Sequence, residues 1–241
     1  MCGILCTPPP QHEAMRGHGS GDRLALWARY RWTDRGALRV RFLDGDPWVW
    51  ERVASVITGE GGWNYACGLP FIFDQSPQAE IRVSFTPGAS WSQVGNYVLS
   101  LPQTQPTMQL GWLNAATVDG EVRRVTLHEF GHALGFIHEH SSPAQQIPWD
   151  KPAVYAWYAR RMGWSEAQVD TQVLAPHTDM VEAGTYDAES IMHYYIPPDL
   201  VLDRKARGGA TVLSAGDRAM AEQWYGSPDA RPSVRLPYVA R

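Results

Sequence analysis

The 241-residue sequence has few cysteines, few charges and no long apolar run. Its three cysteines cannot form a four-cysteine metal site, and their odd number leaves the disulfide state open. No apolar stretch approaches the roughly 18 residues of a bilayer-spanning helix, so we expect no membrane span. Lys and Arg number 21 against 25 Asp and Glu, with no basic cluster, which disfavours a nucleic-acid partner.

The N-terminal segment, MCGILCTPPPQHE, also lacks the features of a signal peptide, because its apolar stretch is short and has no basic flank. Either the protein is not exported by the classical route, or the native start lies elsewhere. Residues 1–22 are rich in Pro, Gly and His and show no apolar periodicity, so we expect a flexible leader or a short pro-segment.

Hydrophobic residues make up 44% of the chain and include 11 tryptophans, enough for a sizeable globular core. Apolar patterning predicts four strands, within residues 37–45, 69–74, 79–85 and 107–113. Helical periodicity with capping residues or glycines at the ends predicts five helices, within residues 48–63, 121–134, 150–164, 165–168 and 214–225. The last three of these helices are expected to begin at side-chain caps, with Asp150 and Ser165 capping two of them and Ser214 paired with Asp217 at capping spacing in the third. The order of these segments predicts an α/β arrangement in the N-terminal half.

The segment HEFGHALGFIH has the spacing of a zinc site. His128 and His132 are four residues apart, so on a helix their imidazoles share one face and suit two corners of a zinc tetrahedron. Gly135 permits a sharp turn that returns His138 as a third ligand. Three protein ligands leave one position open, which is typical of a catalytic site. The sequence therefore predicts one catalytic Zn²⁺ ion.

Glu129 is next to the first predicted ligand and can reach a zinc-activated water without binding the metal. Zinc lowers the pKa of water to about 7, so Glu129 can act as general base and then protonate the leaving amine. A bare HExxH match occurs by chance in helices. Here five specified positions agree, and each added position reduces accidental matches roughly twenty-fold.

The complete pattern HExxHxxGxxH is the metzincin signature, and its continuation with Glu139 resembles the astacin-like zinc metalloproteases. A second segment, SIMHY at residues 190–194, resembles the astacin Met-turn, in which Met192 would form an apolar floor beneath the metal. The resemblance implies that Tyr194 ligates zinc in the resting enzyme and then hydrogen-bonds the oxyanion. It implies a metalloendopeptidase that hydrolyses peptide bonds in proteins.

The resemblance also implies an α+β metzincin (zincin-like) fold. Its upper lobe would hold a twisted mixed sheet and two helices, and its irregular lower lobe a C-terminal helix. We expect the N-terminal lobe with the active-site helix at 23–138 and the C-terminal lobe with the Met-turn at 139–226. Residues 227–241 would be a tail. Strand 107–113 is expected at the edge of the cleft, where an extended substrate could pair with it.

Two departures from the astacin pattern indicate a divergent, microbial branch: Ser142 replaces the usual arginine, and the usual disulfide cysteines are missing. In astacins Glu139 would contact the buried mature N-terminus. Latency ligands in the leader are a further possibility, with three candidates: Cys2, Cys6 and Asp22. The alternative is an unstructured end with incidental cysteines, and both readings stay open.

Three other functions compete with an astacin-like peptidase. A catalytically silent binding module has no need of Glu129. A structural zinc domain would require a fourth His or Cys nearby in the sequence. A matrixin-like peptidase fits less well, because His193 and Tyr194 follow Met192 as in astacins. We expect a monomer acting on proteins or peptides, and the resemblance favours secretion despite the missing signal peptide.

Overall fold

The computed structural model describes residues 23–176 and 181–230. The predicted leader and most of the predicted tail lie outside these ranges, and so do the three candidate latency ligands. Seven strands lie within these ranges: β1 Arg23–Trp27, β2 Leu38–Phe42, β3 Phe71–Phe73, β4 Ile81–Ser84, β5 Ser90–Ser92, β6 Met108–Leu110 and β7 Val181–Gly184. Five α-helices accompany them: α1 Pro47–Thr58, α2 Asp119–Leu134, α3 Lys151–Met162, α4 Glu166–Val169 and α5 Ala215–Tyr225.

Five strands form one mixed sheet in the order β3-β2-β4-β6-β5. Strand β2 pairs in parallel with β3 and β4, and β4 pairs in parallel with β6. Strand β5 closes the sheet by pairing antiparallel to β6. This mixed sheet with its helices confirms the predicted α+β class.

The prediction that segment 107–113 forms the edge of the sheet is wrong. Strand β6 lies between β4 and β5, so β5 is the edge strand. Ser90 pairs with Leu110 and Ser92 pairs with Met108. Strand β5 is only three residues long and two of them are serines, so no alternating apolar pattern marks it in the sequence.

A second sheet, also unpredicted, joins β1 to β7 in antiparallel pairing, with Trp27 opposite Val181. It connects the first described residues to the segment that precedes the Met-turn. Because the two strands are far apart in sequence, no local pattern indicates that they pair.

Helix α1 begins after Asp46, whose carboxylate accepts a hydrogen bond from the backbone N–H of Trp48. It ends at Thr58, shorter than the predicted 48–63, because the chain turns at Gly59 and Gly62. A Cβ at Gly62 would lie 2.2 Å from the carbonyl oxygen of Val56, so this close reversal requires glycine.

Helix α2 is the central helix of the molecule, and every residue from 125 to 134 is buried. Its N-terminus has no side-chain cap, but Asp119 and Glu121 place negative charge beside the helix dipole. The indole N–H of Trp63 donates to the carbonyl of Leu127 at 2.7 Å and fixes α2 against the preceding segment. The helix therefore enters the core as a rigid element.

Two apolar clusters hold the fold together. The larger core joins the five-stranded sheet, α1 and α2, and it also includes Ile191 and Met192 of the Met-turn and Trp224 of α5. The smaller core lies between α3, α4 and the segment around Ile196 and Leu200. The Met-turn and α5 thus pack directly beneath the zinc-site helix.

The later helices begin at the predicted caps. Asp150 caps α3, and both α4 and α5 begin with a capping box, at Ser165 and Ser214 respectively. Within residues 23–176 and 181–230, no helix combines the length and apolar character required to cross a membrane.

Candidate zinc centre

Three histidines converge at the C-terminal end of α2. His128 and His132 lie one turn apart on the helix, and His138 returns after the turn at Gly135. Gly135 has φ 104°, in the left-handed region, and its N–H closes the helix on the carbonyls of Gly131 and His132. One ring nitrogen from each histidine lies within 4.8 Å of the others. These are the three residues that the sequence predicts as zinc ligands.

Hydrogen bonds to backbone carbonyls set the tautomers of the two helical histidines. The Nδ1 atom of His128 lies 2.7 Å from the carbonyl oxygen of Ile191, and Nδ1 of His132 lies 2.7 Å from that of Phe136. A carbonyl can only accept, so each Nδ1 carries the proton and each Nε2 presents a lone pair. This arrangement orients metal-ligating histidines in proteins.

The Nε2 atoms of the three histidines lie close together. The Nε2 atoms of His132 and His138 are 3.0 Å apart, and the buried Nε2 of His128 has no hydrogen-bond partner among the described residues. Ring nitrogens of three histidines gathered at one position form a donor set that suits Zn²⁺. The residues present therefore fit the ion.

Burial keeps these imidazoles neutral. Burial, with a smaller contribution from neighbouring His132, lowers the pKa of His128 well below its usual value. Burial likewise lowers the pKa of His132 to about 4. Metal ligation requires the neutral ring, so both side chains are ready to bind a cation at neutral pH.

Glu129 and Tyr194 face the same cavity as His128. Glu129 is almost completely buried, and the cavity wall also includes Trp112 and Arg124. The Tyr194 ring lies against His138, with the ring centroids 4.0 Å apart. The structure therefore brings the predicted base, the predicted phenol and the first predicted metal ligand to one cavity.

Met192 lies directly beneath the zinc-site helix, fully buried. A Cβ added at Gly131 would be 2.3 Å from the sulfur of Met192, so the methionine approaches α2 only because residue 131 has no side chain. Gly131 lies between two predicted ligands in the motif, and its role depends on a contact with Met192 that the motif does not indicate.

The residue after Met192 in the Met-turn, His193, is also buried. His193 contacts the hydroxyl of Tyr186 through Nε2, at 2.7 Å, and the carbonyl of Tyr194 through Nδ1. Burial lowers the pKa of His193 to about 4. Because both ring nitrogens have hydrogen-bond partners, His193 supports the backbone beside Tyr194.

Glu139 is fully buried beside the third histidine. Its carboxylate accepts a hydrogen bond from the backbone N–H of Asp187 at 2.8 Å. Burial raises the pKa of Glu139 to about 8, and the nearby carboxylates of Asp187 and Asp217 add to this increase. The N-terminus that the resemblance places near Glu139 lies outside the described residues.

Two further groups of this site are backbone carbonyls, those of Ile191 and Phe136, and no residue-type signal in the sequence could have identified them.

Cys67, the one cysteine within the described ranges, is a buried thiol of the larger core, far in sequence from the histidines.

Comparison with solved structures places this chain in a known class of protein. A structure of myroilysin is 37% identical, with 83% of this chain and 98% of that chain covered and a TM-score of 0.77. A crystal structure of myroilysin is also 37% identical, covering 82% of this chain and 86% of that chain with a TM-score of 0.60. No protein-family model and no curated protein matches the chain.

A more distant structure shares the fold. High choriolytic enzyme 1, a hatching enzyme zinc-protease from the medaka fish Oryzias latipes, is 14% identical and covers 83% of this chain. It is itself covered over 97% of its length, with a TM-score of 0.53.

The fold and the histidine triad define a metzincin zinc protease. With 37% identity over most of its length, the chain belongs to the astacin-like family of zinc metalloproteases. It is a metalloendopeptidase with one catalytic zinc ion. This outcome excludes the silent binding module and the structural zinc domain as readings of the sequence.

Proposed function

We propose that this protein hydrolyses internal peptide bonds of protein substrates with Glu129 as the general base and with His128, His132 and His138 as the zinc ligands. One observation carries the proposal: Glu129 is buried on α2 and lines the same cavity as His128 and Tyr194. A carboxylate held at this position needs no movement of the helix to take a proton from an attacking water.

Zinc, when bound, supplies Lewis acidity that lowers the pKa of water and polarises the scissile carbonyl. Glu129 removes the proton from the water and then delivers it to the leaving amine. Helix α2, which carries Glu129, holds the carboxylate in place, because the neighbouring residues of this helix are also buried. A fixed base is oriented before the substrate arrives, which reduces the entropic part of the barrier.

Tyr194 is proposed as the hydrogen-bond donor to the oxyanion that forms on the scissile carbonyl. Its ring contacts both His138 and His140, with centroids 4.0 Å and 4.4 Å away. These two ring contacts, one tilted and one stacked, restrict the rotation of the phenol. A preoriented donor stabilises developing negative charge without reorganisation.

The edge strand β5 is the proposed site for an extended substrate. It is the outermost strand of the mixed sheet, so its outer backbone edge is where a peptide can add as a further strand. Strand β6, which lies in the segment 107–113 expected in this role, is paired on both sides. Main-chain pairing would accept many sequences, and the cavity walls would then select the side chains.

The test compares wild type with Glu129→Gln in cleavage of denatured casein, with zinc content measured on the same samples. We expect turnover to fall about 10²- to 10⁴-fold with zinc content unchanged, the usual contribution of a general base. Glu222→Gln, the same chemical change on the exposed side of α5, is the matched control and should cleave normally. Wild-type turnover in Glu129→Gln would exclude Glu129 as the base.

Tyr194→Phe tests the proposed donor separately. We expect turnover to fall roughly 10²-fold, the usual effect of losing one oxyanion donor, while zinc remains bound. The stacked ring is retained in phenylalanine, so packing beside His138 is preserved. Equal turnover of the variant and wild type would remove Tyr194 from the mechanism.

A further inference from the structure

The carboxylate of Asp217, in the first turn of α5, does more than cap that helix. It is fully buried and accepts three hydrogen bonds. One oxygen accepts from the hydroxyl of Ser190 at 2.6 Å. The other accepts from the backbone N–H groups of Ile191 at 2.9 Å and Ser214 at 2.8 Å. Only the bond to Ser214 belongs to the helix cap; the other two hold the Met-turn.

These bonds fix both peptide units around Ile191. The unit before it is held directly, through the N–H of Ile191. The unit after it is held through Ser190, whose hydroxyl oxygen accepts from the N–H of Met192 at 3.0 Å while donating to Asp217. With both units tied to one carboxylate, the direction of the Ile191 carbonyl is set.

That carbonyl is the group that orients a zinc ligand. It accepts the Nδ1–H of His128 at 2.7 Å, and the Nε2 of the same ring faces the metal position. The chain of contacts therefore runs from α5, through the Met-turn, to the first histidine of the motif. It joins residues that are 89 positions apart in the sequence, 128 and 217.

Because these contacts are buried, water cannot substitute for them. Ser190 and Asp217 are fully buried and Ile191 is 2% exposed, so water cannot reach the N–H groups if the carboxylate is lost. Hydrogen bonds to a carboxylate are about twice as strong as neutral ones, and linked bonds polarise one another. A more strongly held carbonyl makes the histidine a better ligand.

We propose that Asp217 is a positioning residue for His128, acting from α5 through Ser190 and the peptide unit between Ile191 and Met192. The inference rests on the zinc ligands of the proposed function. Its experiment measures metal binding instead of cleavage, so its failure is distinct from a failure of Glu129 as the base.

The experiment compares zinc affinity in Asp217→Ala and Ser214→Ala, by competition with a chromophoric chelator. Both changes damage the start of α5, because Ser214 accepts the backbone N–H of Asp217 at 2.9 Å. Only the first removes the acceptor for Ser190 and Ile191. Loss of a group that orients a ligand costs about 10- to 100-fold in metal affinity. We expect that loss in Asp217→Ala and wild-type affinity in Ser214→Ala.

Ser190→Ala removes the indirect contact, in which the Ser190 hydroxyl links Asp217 to the N–H of Met192. This variant still tests the proposal if Asp217→Ala does not fold. We expect a smaller loss of zinc affinity than for Asp217→Ala, because the bond to Ile191 remains. When Asp217→Ala and Ser190→Ala are combined, their losses of zinc affinity should not add, since both act through the carbonyl of Ile191. Asp217→Asn, which retains an acceptor for Ile191, should lose less affinity than Asp217→Ala.

Cobalt substitution supplies a readout that general destabilisation does not move. We expect the visible absorption of the Co²⁺ form to change in Asp217→Ala and Ser190→Ala but not in Ser214→Ala. Unfolding of the metal-free variants in urea measures stability separately. Wild-type affinity and spectrum in folded Asp217 and Ser190 variants would overturn the proposal, as would equal losses of affinity in Asp217→Ala and Ser214→Ala.

Discussion

Gly131→Ala tests whether the Met-turn fits against α2 because residue 131 has no side chain. In an exposed helix this change stabilises by about 1 kcal/mol, since alanine is the better helix former. Here the new methyl would lie 2.3 Å from the sulfur of Met192 and 3.1 Å from Trp63. Overpacking of this kind costs about 1–3 kcal/mol. We therefore expect a net loss of up to about 2 kcal/mol.

A double-mutant cycle with Met192→Ala isolates the clash. Met192→Ala alone should cost about 2–5 kcal/mol, because a fully buried side chain is removed. In that background the methyl at position 131 enters the vacated space, so Gly131→Ala should be neutral or slightly stabilising. The expected interaction free energy is about 1–3 kcal/mol.

The assay is urea unfolding of the zinc-loaded proteins, in a Glu129→Gln background to prevent self-digestion, with m-values compared between variants. The reasoning is refuted if Gly131→Ala stabilises by about 1 kcal/mol in both backgrounds, because the effects would then be additive. The contact between α2 and Met192 would have no energetic weight in that case.

Four other outcomes follow from the structure. Trp63→Phe should lower the free energy of unfolding in urea by about 1 kcal/mol, because the buried Leu127 carbonyl loses the indole donor. Gly135→Ala should cost about 1–2 kcal/mol at φ 104°, and zinc competition should show weaker binding as His138 shifts. Zinc removal with a chelator should lower the melting temperature, and added zinc should restore it. The pKa of His193 is about 4 when folded and about 6.5 when unfolded, so stability present above pH 6.5 is lost as the pH falls towards 4. Wild type should lose about 3 kcal/mol more than His193→Gln over this range in urea titrations.

The metal ligands could be predicted because their geometry is local. His128 and His132 share a helical face, and Gly135 is the residue that a left-handed turn favours, so a short stretch of sequence contains the whole argument. The helix caps at Ser165 and Ser214 are local for the same reason. Each of these inferences needs only the preceding or following few residues.

The edge of the sheet could not be predicted in this way. Segment 107–113 has the apolar character of a strand, but whether that strand lies inside the sheet depends on a distant partner. The partner, β5, buries two serines, so it lacks an apolar signal. Strand order is a property of non-local pairing, which periodicity does not report.

The groups that orient the zinc ligands could not be predicted from the sequence either. The carbonyls of Ile191 and Phe136 orient two imidazoles, and every residue has a carbonyl. Asp217 has the spacing of a helix cap, which is a sufficient explanation until the structure places its carboxylate against the Met-turn. Such roles follow from tertiary packing and not from residue type.

The division of the apolar interior into two unequal clusters has a consequence for the lifetime of the enzyme in solution. The smaller core, around Val154, Tyr158 and Ile196, contains far fewer buried residues than the larger one, so its segments should open at a lower free energy. At high concentration, one protease molecule can cleave another whose chain has opened locally, and the rate of cleavage follows the population of the open form. Autolysis should therefore begin in the segments around the smaller core, and added packing there would prolong activity during storage.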